Sequence, residues 1–92
     1  MFAETVRAGR FVLGTFVIEL PARGVVDCCA RAGLDFAILD LEHSAIDVHE
    51  LSYLIACCRA NGIGAIVRIE AGALHALTRV LDMAPDGVMV PA

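Results

Sequence analysis

The chain has 92 residues, enough for one small domain. It is strongly apolar, with 59% hydrophobic residues and a mean hydropathy of +0.75, yet charges or glycines interrupt every apolar run before the roughly 18 residues that a membrane helix needs. The net charge of −4 comes from 11 acidic residues against 7 arginines, with no lysine. The scattered arginines give little support for nucleic-acid binding. Without lysine, the chain cannot form a lysine Schiff base with a carbonyl substrate.

The first ten residues and the cysteine spacing bear on the compartment of the protein and on the role of its thiols. Segment 1–10 lacks the apolar core and cleavage site of a secretory signal, so we expect a cytoplasmic protein. The four cysteines form two adjacent pairs, Cys28-Cys29 and Cys57-Cys58, and neither has C-x-x-C spacing. Both pairs fall in predicted helices, where cysteine commonly serves as a small buried apolar residue. We therefore predict packing roles for them, with metal or redox work as the alternative.

Short apolar runs alternate with helix-like segments along the whole chain. The order predicted is β-α-β-α-β-α-β, and the strands read as continuous apolar runs rather than as alternating patterns. Continuous hydrophobicity is typical of parallel strands with helices on both faces of the sheet, and the connections are long enough for right-handed crossovers. The predicted strands are 13–18, 36–41, 65–69 and 87–90, and the predicted helices are about 21–32, 47–61 and 74–81.

Local signals mark the ends and the buried faces of these helices. Pro21 suits a first helical turn, and Gly33 suits a cap at the carboxyl end. Asp47, followed by Glu50 three residues later, predicts a capping box. Apolar residues at helical spacing share one face of the second predicted helix and mark the position of the third. These residues are Val48, Leu51, Leu54, Ile55 and Cys58 in one helix, and Leu74, Leu77 and Leu81 in the other.

The fold class is α/β, and two architectures fit: an open doubly wound sheet, or the N-terminal half of a (β/α)8 TIM barrel with parallel strands. Charged residues follow three successive predicted strands, and in both architectures the carboxyl ends of parallel strands meet on one rim where ligands bind. No G-x-G-x-x-G or P-loop accompanies them, so the barrel is favoured. The charged residues are Glu19, then Asp40, Glu42 and His43, then Arg68 and Glu70.

His43 and Arg68 are the most informative of these residues. Histidine carries protons near neutral pH, and Asp40 is close enough in sequence to orient it. Arginine near the end of a buried strand needs an anion, and its planar fork suits a carboxylate. Together they suggest proton chemistry on a small carboxylic acid. The alternatives are that His43 is simply exposed, and that Arg68 forms a salt bridge to Asp40 or Glu42.

Several segments resemble the HpcH/HpaI class II aldolases, within the HpcH/HpaI aldolase/citrate lyase superfamily. That family cleaves and forms carbon–carbon bonds of 2-keto acids, with pyruvate as the nucleophilic component. The resemblance implies a (β/α)8 barrel, usually in a homo-oligomer, and a divalent metal ion (Mg, Mn or Co) chelated by the 2-keto acid. The segments are GTFVIELP at 14–21, LDLEHSAID at 39–47, IVRIE at 66–70 and LDMAPDGVMVPA at 81–92.

The resemblance also implies roles for individual residues. By similarity, His43 matches the family's catalytic base region, paired with Asp40. Arg68 matches the arginine that binds the keto acid and stabilises the negative charge of the enolate. Glu42 has a supporting role around the waters of the metal, and Asp82 matches an acidic residue near an active site and subunit contact. No metal ligand is assigned, because the family's metal-binding carboxylates are expected beyond residue 92.

The implied function is a carbon–carbon lyase that cleaves 4-hydroxy-2-keto acids to pyruvate and an aldehyde through a metal-bound enolate. A (β/α)8 barrel takes ~250 residues, so residues 1–92 are expected to be a partial barrel domain, truncated after strand four and inactive alone. The alternatives are a non-catalytic half-barrel that self-associates or complements a second chain, a small doubly wound binding domain, and a citrate-lyase-like or malyl-CoA-lyase-like enzyme. Two positions depart from the family pattern: Glu70 replaces a proline, and Ala84 a common glycine.

Overall fold

The structure is a computed structural model that describes residues 2–20 and 22–91. It confirms the predicted order of strands and helices and adds a helix at the start that the sequence did not predict. Pro21, expected in the first turn of a helix, and Ala92, the last residue of the fourth matching segment, lie outside the described residues. The elements are α1 Phe2–Arg7, β1 Gly14–Val17, α2 Arg23–Arg31, β2 Phe36–Asp40, α3 Val48–Ala60, β3 Gly64–Arg68, a short 3-10 helix Leu74–Ala76, α4 Leu77–Asp82 and β4 Gly87–Met89.

The four strands form one parallel sheet in the order β1-β2-β3-β4. The predicted α/β class with parallel strands is therefore confirmed. In the register of the sheet, Asp40 at the end of β2 lies directly beside Arg68 at the end of β3. None of the helices in the described part of the chain is long and apolar enough to span a membrane.

The two faces of the sheet are covered unequally. Because side chains alternate along a strand, Val17, Leu39 and Val67 share one face, and all three are buried in the core with residues of α2 and α3. The opposite face carries Phe16, which is 41% exposed, and Ile66, which is half-buried. On this second face Ile38 and Asp40 are nevertheless buried, so within the described residues the expected cover is complete on the first face and partial on the second. The second face is the one that bears Asp40 and Arg68.

Two of the predicted helix-end signals, Gly33 and the Asp47–Glu50 capping box, are confirmed. Gly33 follows α2 with a φ of +84°, which is the left-handed conformation that glycine adopts freely. The Asp47 carboxylate accepts the Glu50 backbone N–H at 2.8 Å, and the Glu50 carboxylate accepts the Asp47 N–H at 3.1 Å. Ala84 also has a positive φ, +55°, at the position where the sequence suggested that a glycine is usual.

The apolar residues that share helical spacing are only partly buried. In α3, Leu51, Leu54, Ile55 and Cys58 are buried as expected, but Val48 is 39% exposed because it is the first residue of the helix, at its end. In the last helical segment Leu74 and Leu81 are exposed, and Val80 is the buried residue. The segment begins as a 3-10 helix, whose tighter turn of about 3.0 residues rotates the apolar face away from the predicted line.

Three of the four cysteines pack in the core, as predicted. Cys29, Cys57 and Cys58 are buried between α2 and α3, whereas Cys28 is exposed, which the sequence did not predict. Burial raises the pKa of the Cys58 thiol to about 12. A thiol with this pKa stays protonated at neutral pH, and the thiol form is neither nucleophile nor metal ligand.

Helix α1 lies against the amino-terminal end of the sheet. The Phe2 and Phe36 rings are 5.4 Å apart, centroid to centroid. A Cβ atom at Gly64 would lie 2.5 Å from the ring of Phe2, so the lack of a side chain there lets the ring approach β3. Since Phe36 and Gly64 begin β2 and β3, α1 is at the opposite end of the sheet from Asp40 and Arg68.

We expect Gly14→Ala to lower the free energy of unfolding by about 1–3 kcal/mol, the range for overpacking of a close-packed site. A Cβ at this position would lie 2.4 Å from the Phe36 ring and 2.5 Å from the Phe36 backbone oxygen. The ring could rotate away, but the oxygen is part of the sheet backbone and cannot move without disturbing β2. The measurement is urea-induced unfolding followed by circular dichroism.

Gly24→Ala is the matched control, because its Cβ would meet nothing within 4 Å. Gly24 lies in α2, where alanine is favoured over glycine by about 0.5–1 kcal/mol. This variant should be as stable as the original chain or slightly more so. If the two alanine variants lost equal stability, the close approach at Gly14 would be contradicted.

Candidate active site

The site is built around an ion pair between neighbouring strand ends. Arg68 Nε donates to Asp40 Oδ1 at 3.0 Å, and Arg68 Nη2 donates to Asp40 Oδ2 at 2.5 Å. The Asp40 side chain is fully buried, and the Arg68 side chain is 19% exposed. This two-point contact is the strong, geometrically specific form of an arginine–carboxylate pair. The alternative that Arg68 forms a salt bridge to Asp40 is therefore confirmed.

Asp40 also organises the turn that follows β2. Its Oδ1 accepts the Glu42 backbone N–H at 2.8 Å, its backbone oxygen accepts a hydrogen bond from the Ser44 hydroxyl, and Ser44 Oγ accepts the Ile46 N–H at 3.1 Å. The hydrogen bond from Arg68 holds the pKa of the Asp40 carboxyl below its usual range, against the opposing effect of burial. Asp40 is consequently an ionised, fully engaged group.

Glu42 links three parts of the rim. Its Oε1 lies 3.3 Å from His43 Nε2 and 3.7 Å from Arg68 Nε, and its Oε2 accepts the Ala71 backbone N–H at 3.3 Å. The side chains therefore do not form the expected Asp40–His43 pair. Arg68, adjacent in the register, occupies both oxygens of Asp40, and the 66% exposed imidazole of His43 lies beside Glu42 instead.

The guanidinium of Arg68 has one engaged edge and one open edge. Nε and one N–H of Nη2 point to Asp40, and the Phe16 ring covers one face, with Arg68 Cζ 4.7 Å from the ring centroid. Arginine has five N–H donors in a fixed fork. Nη1 makes no hydrogen bond or ion pair with any residue in 2–20 or 22–91. This edge has the geometry to bind a second carboxylate.

The structure does not bring every predicted residue to this site. Glu19 and Glu70 are exposed beyond the ends of β1 and β3. Asp82 is exposed in the last turn of α4, which leads back to the amino end of β4, so it lies away from Asp40 and Arg68. The sequence reasoning missed Phe16 and the hydroxyl of Ser44. Only the pattern Asp-x-x-x-Ser after a strand hinted at a side-chain-braced turn.

A divalent metal is implied by the family resemblance, and the residues present do not supply a ligand set for it. Within the described ranges, no group of three or more histidine, cysteine, aspartate or glutamate side chains could hold a metal ion. Both oxygens of Asp40 are engaged by Arg68. Glu42 and His43 alone leave most of a metal's coordination positions unfilled.

Two curated relatives resemble the chain, although no family model matches it. A 2-dehydro-3,6-dideoxy-6-sulfogluconate aldolase from Pseudomonas putida is 32% identical over 79 residues, which are 86% of this chain and 31% of the relative. A hydroxypyruvate/pyruvate aldolase from Deinococcus radiodurans is 27% identical over 90 residues, 98% of this chain and 32% of the relative. The chain thus spans about a third of the length of the curated relatives that it matches.

Solved structures agree with these relatives. The HpcH/HpaI aldolase from Desulfitobacterium hafniense superposes with a TM-score of 0.89 at 31% identity, over 98% of this chain and 35% of that one. The citrate synthase SbnG superposes with a TM-score of 0.88 at 33% identity, over 97% of this chain and 36% of that one. The four parallel strands and their helices match part of a TIM barrel found in lyase-type enzymes. The chain belongs to the HpcH/HpaI aldolase superfamily.

Proposed function

We infer that the rim formed by Asp40, Glu42, His43 and Arg68 is the carboxylate-binding and proton-handling side of a carbon–carbon lyase. The proposed reaction cleaves a 4-hydroxy-2-keto acid to pyruvate and an aldehyde. The observation that carries this proposal is the Arg68 guanidinium, whose one edge is fixed by a buried carboxylate while the Nη1 edge is open. The names of the curated relatives support it, since both are aldolases and one is a pyruvate aldolase.

Arg68 is assigned to the carboxylate and the developing enolate charge of the keto acid. Its open edge offers two parallel N–H groups, the arrangement that binds a carboxylate bidentately. Asp40 cannot compete for that edge, because both of its oxygens already accept from Nε and Nη2. A low exposure of 19% limits the competition from water and strengthens the interaction with an anion.

His43 is assigned to proton transfer. Glu42 Oε1, 3.3 Å from Nε2, can hold one ring nitrogen and so fix the orientation of the imidazole. The exposed side chain leaves the other nitrogen to exchange a proton with the substrate, directly or through a water molecule. Glu42 thereby takes the orienting role that the sequence suggested for Asp40.

Metal dependence is part of the proposal by resemblance to the class II enzymes. A divalent ion bound there would act as a Lewis acid on the keto oxygen. The described residues contain no group of three or more side chains that could hold it, so most of its ligands would come from another part of the assembled enzyme. Assembly as a homo-oligomer in the cytoplasm is proposed on the same resemblance, with Asp82 on α4 available to contact a neighbouring subunit.

We further propose that the chain is a partial barrel domain that is inactive alone. The greater length of its relatives and the exposure of Phe16 on one face of the sheet support this. A half-barrel module that associates with a second copy or another chain is the second candidate. The outer edges of β1 and β4 favour it, since neither edge pairs with another strand in the described part of the chain.

The citrate-lyase-like alternative is supported by the likeness to the citrate synthase SbnG. In this alternative Arg68 would again hold a carboxylate, and the second substrate would not be an aldehyde. The two reactions are separated by testing whether the rim can remove a methyl proton of pyruvate and whether it then releases pyruvate from a 4-hydroxy-2-keto acid.

The test uses a fusion in which this chain replaces the matching 90-residue segment of the Deinococcus radiodurans aldolase. With a divalent metal present in D2O, we expect the fusion to exchange the methyl protons of pyruvate for deuterium. Proton NMR measures the rate as the loss of the methyl signal. His43→Asn should slow this exchange by about 100-fold or more, the usual contribution of a general base. His49→Asn is the matched control, because His49 is exposed on α3, and it should leave the rate unchanged. Equal rates in the two variants would contradict the role of His43.

A further inference from the structure

Phe16 is the aromatic residue of β1 that reaches the site. The register pairs Phe16 with Ile38 and Ile38 with Ile66, and Asp40 and Arg68 each follow two residues later on their strands. Because side chains two apart on a strand share a face, all five residues lie on the same side of the sheet. Phe16 and Arg68 are therefore separated by one intervening strand, β2, and Phe16 lies two residues closer to the amino end of the sheet.

The long side chain of Arg68 bridges that separation. Its Cζ lies 4.7 Å from the centroid of the Phe16 ring, within the range of about 6 Å in which a guanidinium is attracted to an aromatic face. Asp40 holds the guanidinium from its edge, whereas Phe16 contacts its flat face. The cation is therefore restrained along two different directions, which a hydrogen-bonded pair alone does not achieve.

We propose that Phe16 is a positioning residue for substrate binding, which holds the plane of the Arg68 guanidinium so that its Nη1 edge is presented to the carboxylate of the keto acid. The inference rests on the proposed function of Arg68 as the carboxylate-binding residue. Phe16 does not itself touch the reacting atoms. It acts by covering one face of the guanidinium. This excludes water from that face and keeps the plane of the guanidinium from rotating away from the substrate carboxylate.

A purely space-filling role would explain why Phe16 lies on this face of the sheet, but it would not explain why the ring contacts Arg68. The two explanations differ in what a change of side chain should do. If Phe16 only fills space, leucine should serve as well as phenylalanine, and tryptophan should serve worse because it is larger. If Phe16 positions Arg68 through its ring face, leucine should fail and tryptophan, the best aromatic partner for a cation, should succeed.

The test compares Phe16→Leu, Phe16→Trp and Phe11→Leu in the fusion with the Deinococcus radiodurans aldolase, labelled with nitrogen-15 and loaded with Mg2+. Phe11 is 88% exposed, so the same substitution there is a matched control. Pyruvate is titrated into each variant, and the Nε–H signal of Arg68 is followed by NMR. We expect Phe16→Leu to bind pyruvate about two- to five-fold more weakly, the loss typical of one exposed cation–π contact. Phe16→Trp should restore the affinity, and Phe11→Leu should leave it unchanged.

The Arg68 Nε–H signal reports the stacking independently of pyruvate. The ring of Phe16 should displace this signal by its ring current, an effect that Phe16→Leu removes and Phe16→Trp preserves. The proposal is overturned if Phe16→Leu binds pyruvate like the original chain, or if tryptophan does not restore what leucine loses. A metal-loaded fusion that binds no pyruvate at all contradicts the proposed function of Arg68. In that case an unmoved Nε–H signal in Phe16→Leu overturns the positioning role, and a shift that only tryptophan prevents supports it.

Discussion

Replacing Asp40 by asparagine is expected to lower the free energy of unfolding by about 3 kcal/mol, the lower end of the range for removing one partner of a buried ion pair. The asparagine keeps the shape of the side chain but removes the charge that faces the Arg68 guanidinium. It also replaces an acceptor oxygen with an amide group, so one of the two hydrogen bonds from Arg68 is lost. Urea-induced unfolding at neutral pH measures the effect.

Asp27→Asn is the control for this prediction. Asp27 lies 3.7 Å from Arg23, with the two side chains 38% and 68% exposed, and exposed ion pairs contribute little to stability. An asparagine oxygen can still accept the hydrogen bond that Asp27 receives from Asn61. The loss should therefore be far smaller than for Asp40→Asn. Similar losses in the two variants would show that burial of the Asp40–Arg68 pair has no special role in the fold.

The same carboxyl predicts a specific response to acid. The pKa of Asp40 in the folded chain lies below its usual value, chiefly because of the hydrogen bond from Arg68. The pKa of an aspartate in the unfolded chain is about 3.9. Its contribution to stability is therefore complete above about pH 4 and is lost as the pH falls through the folded pKa. The difference in stability between the original chain and Asp40→Asn should shrink over that acid range. A difference that stays constant from neutral pH into this range would contradict the account.

Arg68→Lys is expected to lower kcat/KM for release of pyruvate from a 4-hydroxy-2-keto acid by about 100-fold or more in the fusion with the Deinococcus radiodurans aldolase, as for loss of a group that stabilises developing negative charge. Lysine keeps the positive charge, but it has no planar fork and cannot bind Asp40 and a substrate carboxylate bidentately at the same time. The loss should appear in KM as well as in kcat, because the carboxylate is held both before and during the reaction.

Arg79→Lys provides the matched comparison. Arg79 is exposed on α4, and the same substitution there should leave both kinetic constants unchanged. Thermal unfolding of both variants controls for damage to the fold. If Arg68→Lys were as active as Arg79→Lys, the assignment of Arg68 to the substrate carboxylate would be wrong.

The parts of the fold that the sequence predicted are those determined by local interactions. The capping box of Asp47 and Glu50 needs only residues three apart, and Gly33 needs only its own backbone conformation. The gathering of Asp40, His43 and Arg68 at one rim also followed from the sequence, because all parallel strands that are joined by helices end on the same side of the sheet.

What the sequence did not predict depends on register and on distant packing. The pairing of Asp40 with Arg68 rather than with His43 requires β2 and β3 to align residue for residue, and a shift of one position would turn one of the two side chains to the other face. The contact of Phe16 with Arg68 joins β1 to β3 across β2, and no spacing along the sequence predicts it. Helix α1 was missed because its Phe2 finds its partners on Gly64 and Phe36, far along the chain.

The most direct test of the central claim is whether the fusion of this chain with the remainder of the Deinococcus radiodurans aldolase releases pyruvate from a 4-hydroxy-2-keto acid. If the ends of β2 and β3 form the carboxylate-binding and proton-handling side of a lyase site, the fusion will release pyruvate when a divalent metal is present, and the 92-residue chain alone will not. A correctly folded, metal-loaded fusion that releases no pyruvate would contradict that claim.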